Sequence, residues 1–369
     1  MTSAKMLGSS PSVFPITTPS RSRVIQELFL SGPKSRAEIA RATSLTKVTV
    51  SEAVDDLLGK NIVEELSSNR ELRPGKPSIP VQLNNDSFSF LAVDLSAAKT
   101  WSYSFFGFDG QPTDVVNIDR EGLTGHAFFD SLAQQLSELI AHSDTPVAGV
   151  GVGSPGVINR KGKVISAPNL GWEDFDLQSL LQSSLGVPVV VENDAHLSAS
   201  AIHTFSSSGT YILLIRIAGG LGAGLVVDGV VPAGEGNAAG ELGHTVVVEN
   251  GRECACGKKG CLETYVSSSA LEVNLNQASG IDAIKESAKF LGAAISPIVG
   301  LLNLNAVVIA ANEDLRSDQF LQQLSETIAE RTLPISHKNL TVEYTDFAHD
   351  IVLRGAAGRV MGQLLGLGQ

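Results

Sequence analysis

Cysteine is scarce. The chain of 369 residues has three, and all of them lie between residues 254 and 261. Any disulfide would leave one of the three unpaired, which excludes a disulfide framework as the source of stability. Aromatic residues are few, 5% of the chain, while glycine is plentiful at 36 residues, as in glycine-turned α/β proteins. No apolar run is long enough to span a bilayer, so no transmembrane helix is expected and no membrane partner. The first residues lack a signal-peptide hydrophobic core; the Ser-, Thr- and Pro-rich stretch 1–19 is expected to be a disordered leader, and the compartment cytoplasmic. An excess of positive charge is also missing. The net charge of −12 speaks by itself against nucleic acid.

The charge is unevenly spread, however. Residues 1–82 carry 11 Lys or Arg against 8 Asp or Glu, a net +3, and the remainder carries −15. A mildly basic head on an acidic body is the asymmetry of a DNA-binding module joined to something else. The local pattern agrees. Val24, Ile25, Leu28 and Phe29 share one face of a first helix, about residues 20–30, ended by Ser31-Gly32-Pro33. Ser35-Arg36-Ala37-Glu38 forms a capping box for a second helix. Thr46 caps a third, with Val50, Ala53, Val54, Leu57 and Leu58 as its buried stripe. Helix, helix, short turn, helix is a helix-turn-helix; a plain helical bundle used for association is the alternative. The outward side of the third helix offers Lys47, Val48, Thr49 and Ser51 near its N-terminus, where recognition helices meet base edges, and Ser35 and Arg36 join the candidate DNA contacts. Residues 62–65 and 78–83 read as two strands of a wing. Arg73 and Lys76 sit in the Pro- and Gly-rich loop between them, placed for phosphate or a minor groove, or else an ordinary linker.

The three cysteines belong to one stretch, Glu241 to Glu263, which also contains His244. Cys254, Cys256, Cys261 and His244 make a Cys₃His set that suits tetrahedral zinc. Gly257 and Gly260 let the backbone curl back so that Cys261 returns to the same ion. Three unrelated thiols in a reducing compartment is the blander reading; it is set aside because none lies elsewhere in the chain. Glu241 and Glu263 flank the set and are free to accept hydrogen bonds from a ligand's hydroxyls.

From Ser89 onward strands and helices alternate. Strands are expected over 89–95, 100–108, 117–120, 147–152 and 187–191, with helices over 126–142 and 175–185. A second, similar series follows from Thr210: strands over 211–217, 224–227, 307–310 and 340–344, and helices over 282–302, 318–331 and 351–365. Asp109-Gly110 and Asp228-Gly229 mark a hairpin in each series. Two such units in tandem predict an internal duplication.

Glu-x-Gly-His followed by Cys-x-Cys-Gly-x-x-Gly-Cys-x-Glu, residues 241–263, resembles the zinc and sugar motif of the ROK family of repressors, open reading frames and kinases. The likeness extends over nearly the whole chain. It implies an N-terminal winged helix-turn-helix over 20–83, ahead of a two-lobed actin-like, ribonuclease-H-like α/β fold. The first lobe would span 84–194, completed by the helix 350–369, and the second 195–349 with the zinc motif. It further implies that Asp194 stands where a kinase keeps its general base. Gly153, Asn169, Asn193, Asp194, Glu241, His244 and Glu263 would surround the sugar, with zinc held structurally by His244 and the three cysteines.

The nucleotide half departs from the kinase pattern. Asp-x-Gly-Gly-Thr-Lys is here Asp94-Leu95-Ser96-Ala97-Ala98-Lys99, placing side chains where phosphates need close backbone approach. Gly-Thr-Gly-x-Gly is Ala218-Gly219-Gly220-Leu221-Gly222, and the adenosine loop reads Ala310-Ala311-Asn312-Glu313. The expectation is a sugar-responsive regulator, a repressor and not an enzyme. It would bind operator DNA and a sugar or sugar phosphate as a homodimer or homotetramer. An ATP-dependent sugar kinase with an added head, and a sensor whose partner is a protein, are the alternatives.

Overall fold

The structure is a computed structural model that describes residues 18–66, 79–205, 209–275 and 280–366. The head is three helices, Pro19–Ser31, Arg36–Thr43 and Lys47–Gly59, with a three-stranded sheet in which Pro80–Leu83 lies between Lys34–Ser35 and Val63–Glu65. The capping box forms: the Ser35 hydroxyl accepts from the Glu38 backbone, and the Glu38 carboxylate accepts from the Ser35 N–H at 2.9 Å. Thr46 caps the third helix by accepting from the Thr49 N–H at 3.1 Å. Val24, Ile25, Val50, Val54 and Leu57 are fully buried, and Leu58 half-buried, as a 3.6-residue period requires. Arg73 and Lys76 lie outside the described residues.

The body holds two sheets of like topology. In the first, Ser89–Asp94 and Thr100–Phe106 pair antiparallel, Val116–Asp119 adds to the outer edge, and Val147–Ser154 and Val189–Asn193 follow in parallel on the other side. In the second, Tyr211–Ile217 and Leu221–Val227 pair antiparallel, and Ala306–Ala311 and Thr341–Tyr344 follow in parallel. The two expected series are therefore present, each a hairpin extended by parallel strands.

Two elements differ from expectation. Phe175 ends a strand, Trp172–Phe175, in a small sheet with Val164–Ala167 and Val157–Ile158, so the following helix starts only at Leu177. A whole helix, Asp194–Phe205, begins at the expected lobe boundary. It packs between the second sheet and the C-terminal helix Ile351–Leu365. Residues 195–199, 201 and 202 are all buried, so the segment has no polar stripe for sequence periodicity to detect.

The C-terminal helix approaches the first sheet closely because of a glycine row of period two. A Cβ on Gly151 would stand 2.1 Å from the Ala356 carbonyl oxygen, and one on Gly153 2.4 Å from a Val352 methyl. The missing side chain of Gly153 therefore serves packing on this face, whatever its backbone meets. Head and body share one hydrophobic cluster that runs from Val24 and Val50 through Phe90 to Val360. Among the described residues no helix is long and apolar enough to cross a membrane.

Candidate metal centre and interlobe cleft

His244, Cys254, Cys256 and Cys261 converge, with all their ligand atoms within 4.8 Å of one another. His244 ends the 3₁₀ turn Glu241–His244, and Cys261 is drawn back to it by an antiparallel bridge to Val246. The return depends on Gly260: its φ is +81°, and a Cβ there would lie 1.6 Å from the Val248 carbonyl oxygen. The Cys256 and Cys261 sulfurs are 3.7 Å apart, and Cys254 Sγ is 3.6 Å from His244 Nδ1. A tetrahedron with metal–sulfur bonds of about 2.3 Å and metal–nitrogen bonds of about 2.0–2.1 Å requires S···S of about 3.8 Å and N···S of about 3.6 Å. The residues thus fit the ion. Burial, and then the neighbouring thiols, push Cys261 up to about 12, while the Lys258 backbone N–H lowers Cys256. A bound cation would deprotonate such a thiol outright.

With Nδ1 facing the sulfurs, His244 Nε2 points to Glu241, 3.9 Å from its carboxylate. At that distance the carboxylate is an electrostatic neighbour of the imidazole, beyond hydrogen-bond reach. Glu263 follows Cys261 by two residues and opens the short helix Glu263–Val266. Its Oε2 accepts from the Leu221 N–H at 3.0 Å, and Gly220 makes room for it: a Cβ there would sit 2.6 Å from that oxygen. The metal loop is thereby fastened to the hairpin 218–222.

Asp194 starts the helix Asp194–Phe205, and its carboxyl is only 14% exposed. Burial raises its pKa above the usual carboxylate range; Arg216 pulls it down and Asp94 pushes it up again. Its Oδ1 accepts from the Ala195 N–H, and its Oδ2 takes a 3.0 Å ion pair from Arg216 Nη1. The same guanidinium donates through Nη2 to Ser96 Oγ at 2.7 Å and lies 4.0 Å from Asp94.

The other expected cleft residues are placed as follows. Asn193 is spent on backbone: Nδ2 donates to the Gly156 carbonyl at 2.9 Å, and Oδ1 accepts from the Ala195 and His196 N–H groups. It therefore shapes the loop 154–156 and caps the helix. Asn169 is exposed in the turn Pro168–Leu170, with its carbonyl held by Arg120. Arg120 also grips the Ala98 carbonyl and stacks on Phe128. Arg120 and Arg216 were not reached from the sequence. Each is a lone arginine at a strand end, and no spacing distinguishes such a residue from a surface cation.

On the head, Lys47 and Val48 are exposed, Val48 at 66%, and Ser51 and Thr49 are half-buried. The Thr49 hydroxyl shares a 2.8 Å hydrogen bond with Thr46. Ser35 is buried and committed to its cap, which removes it from any contact surface. Arg36 is tied to Asp55 at 2.6 Å and Glu65 at 3.2 Å. A contact from Arg36 to phosphate would therefore have to break two pairs.

A model described as the ROK family matches residues 118–361. The chain is 26% identical over 385 residues to the xylose repressor of Caldicellulosiruptor bescii, covering 90% of this chain and 92% of that one. Among solved structures, a ROK family transcriptional regulator homologous to the Escherichia coli Mlc protein aligns with a TM-score of 0.82 at 24% identity, over 94% of this chain and 96% of its own. A ROK glucokinase from Streptomyces griseus, in complex with glucose and AMPPNP, aligns with a TM-score of 0.64 at 21% identity, over 73% of this chain and 98% of its own.

Proposed function

The chain belongs to the ROK family, and from that membership we propose that it is a sugar-responsive transcriptional repressor. The head binds operator DNA, and a sugar or sugar phosphate in the cleft between the lobes releases it. One observation carries the reading: likeness to a xylose repressor extends over 90% of this chain, whereas a ROK glucokinase is matched over nearly its whole length by 73% of it. What the glucokinase leaves uncovered is large enough for a head of three helices and a small sheet.

In this reading Lys47, Val48, Thr49 and Ser51, with Arg73 and Lys76, meet DNA. Asp194, Glu241 and Glu263 accept hydroxyls of the effector; Asn169 lies at the rim, and Asn193 shapes the loop beside it. His244, Cys254, Cys256 and Cys261 would hold Zn²⁺, whose part is structural: it fixes the loop that carries Glu241 and Glu263. The protein works in the cytoplasm as a homodimer or homotetramer.

The altered phosphate loops support a regulator that transfers no phosphoryl group. Asp94-Leu95-Ser96-Ala97-Ala98-Lys99 lacks the glycines that admit phosphate oxygens, and Ser96 is held by Arg216. Sugar kinase activity is the reading to be tested against it.

The test is a titration of labelled operator fragments, selected in vitro from random DNA, with and without D-xylose, D-glucose and their phosphates. Operator affinity that falls when one of these is added supports the proposal. Loss comes through linkage, so the same sugar should bind the free protein more tightly than the DNA complex. Phosphorylation of a sugar by ATP at roughly 1 per second or faster would overturn the regulator reading.

A further inference from the structure

We propose that the cavity at the junction of head and body is a second ligand site, one for a small protonated amine with an apolar body. Its volume is about 600 Å³, within the range of small-molecule sites. Three segments build it. Residues 85–89 lead from the head strand Pro80–Leu83 into the first body strand, 105–118 run from the end of the first hairpin to the edge strand, and 135–145 end the helix Gly125–Ala141. The site lies apart from the interlobe cleft. Ser89 opens the strand Ser89–Asp94, and Asp94, beside Arg216, closes it about 17 Å further on.

The walls are of two kinds. Phe88, Phe105, Ile118 and Leu139 are each only half-buried and give the cavity an apolar side. The polar side is acidic. Asp86, Asp109, Asp114, Glu138 and Asp144 belong to the three segments, which contain no Lys or Arg. Asp86, Glu138 and Asp144 line the cavity itself. Carboxylates only accept hydrogen bonds, so a ligand there must donate, and their charge favours a cation over an anion. Among the described lining residues only His142 can carry positive charge, and its Nδ1 already donates to the Glu138 carbonyl at 2.7 Å.

Exposed acids alone would describe any solvated surface. Ser89 is the feature that sets this one apart. It lines the cavity, it is 7% exposed, and its hydroxyl has no hydrogen-bond partner among the described residues. Alternation along the strand puts Ser89 on the face of Leu91 and Val93. Those two pack with Phe128, Leu132 and Leu136 of the helix whose later residues wall the cavity. The hydroxyl therefore lies on the cavity side of the sheet. A buried hydroxyl left unpaired costs free energy that a ligand's donor recovers on binding. An ammonium has three donors: one would serve the Ser89 oxygen and the others the carboxylates or water, while the apolar body covers Phe105 and Leu139. Because 85–89 form one wall, occupancy would also hold the segment between head and body.

The test is calorimetric titration of the full-length protein with tryptamine, phenethylamine and phenylbutylamine, and with the matched carboxylates indolepropionate, phenylpropionate and phenylvalerate. At least one amine should bind with a Kd of about 1 mM or tighter, and its matched carboxylate should bind at least about tenfold more weakly. Hydrogen exchange with that amine should slow in 84–89 and 135–145 and stay unchanged in 193–197. Glu138→Lys reverses one charge at an exposed position and should weaken the amine about tenfold. Ser89→Ala should also weaken it, yet leave the urea midpoint of the free protein at or above the wild-type value, since no internal hydrogen bond is lost. Binding by none of the three amines, equal binding of the matched carboxylates, or slowed exchange at 193–197 in place of these segments would overturn the site. So would full amine affinity in both variants.

Discussion

The metal loop gives the sharpest quantitative test. Cys256→Ser keeps the size of the side chain and removes one of three thiolates from the cluster. In the intact protein, an ion would cross-link His244 to Cys261 across the loop 245–260. Without it, two isolated bridges, Val246 to Cys261 and Glu253 to Lys259, and the local turns hold the loop. Closing a loop of about 15 residues is worth about 3 kcal/mol in chain entropy. Losing that constraint should shift the balance between ordered and open loop by roughly two orders of magnitude. The consequence reaches beyond the loop. Glu263 stands two residues past Cys261 and holds the Leu221 N–H at 3.0 Å, so the hairpin 218–222 should lose protection with the loop. Two measurements follow: elemental analysis of protein purified without added zinc, and hydrogen exchange of 245–262 and 218–224. Wild type should carry about one equivalent of metal and protect both segments; Cys256→Ser should do neither, while the head 19–66 stays protected. A wild type that folds fully without metal, or a variant whose loop exchanges as slowly as wild type, would refute the reasoning.

Four further outcomes are expected. Gly151→Ala pushes a methyl against the Ala356 carbonyl, 2.1 Å away before relaxation, and overpacking of this kind should cost about 1–3 kcal/mol, read as a lower urea midpoint at constant slope. Asp194 has a folded pKa raised by burial, so between the unfolded and folded values the native state holds the extra proton. Its contribution is thus fully present at acid pH and lost as pH rises through the folded value. Urea unfolding from pH 4 to 8 should show wild type losing ground to Asp194→Asn as pH increases, by at most about 1.4 kcal/mol per pH unit. Glu263→Ala should weaken effector binding about ten- to a hundredfold, about 1.5–3 kcal/mol for a charged hydrogen bond, and leave operator affinity unchanged. Lys47→Ala should do the reverse, lowering operator affinity and flattening its salt dependence by about one unit of slope, as fluorescence anisotropy would show.

Much of the architecture was legible because amphipathic elements carry periods. The third head helix, with Thr46 as cap and Val50, Ala53, Val54 and Leu57 inside, could be read residue by residue. The helices Asp318–Arg331 and Ile351–Leu365 were legible as ranges, although the second is buried on most sides. The metal cluster was legible for another reason: four ligands of rare type in 18 residues leave few alternatives. The helix Asp194–Phe205 was hidden because it is buried on nearly every side, and the small sheet 157–175 because its strands are two to four residues long. Site roles were harder still. Gly153 looks like a ligand loop in sequence, yet its space is taken by Val352. Asn193 looks like a hydroxyl binder, yet its amide serves Gly156, Ala195 and His196. For Gly153 the competing partner comes from the distant C-terminal helix; for Asn193 one partner, Gly156, lies 37 residues away, and the two N–H groups belong to the helix that sequence periodicity does not reveal.

The same packing shows how a cleft event can reach the head. Asp194 is the first residue of its helix, so whatever shifts its carboxylate shifts the helix N-terminus. That helix meets the C-terminal helix where Gly355 removes a side chain: a Cβ there would lie 2.1 Å from the Leu197 carbonyl oxygen. At such a distance the two backbones cannot slide independently, because interiors this dense accept discrete rearrangements and not gradual compression. The C-terminal helix in turn lies on the first sheet through Gly149, Gly151 and Gly153, and its end at Gly366 faces Ser22 of the first head helix. From Asp194 to the head there are thus two helices, one close backbone approach at Gly355 and one contact to the Ser22 side chain. The arrangement favours moving the head as a body over loosening it; in the proposed reading an effector would change the position of the helix Lys47–Gly59 and leave its own fold intact. The shared cluster from Val24 to Val360 argues the same way, since a head that swung free would have to expose it to water.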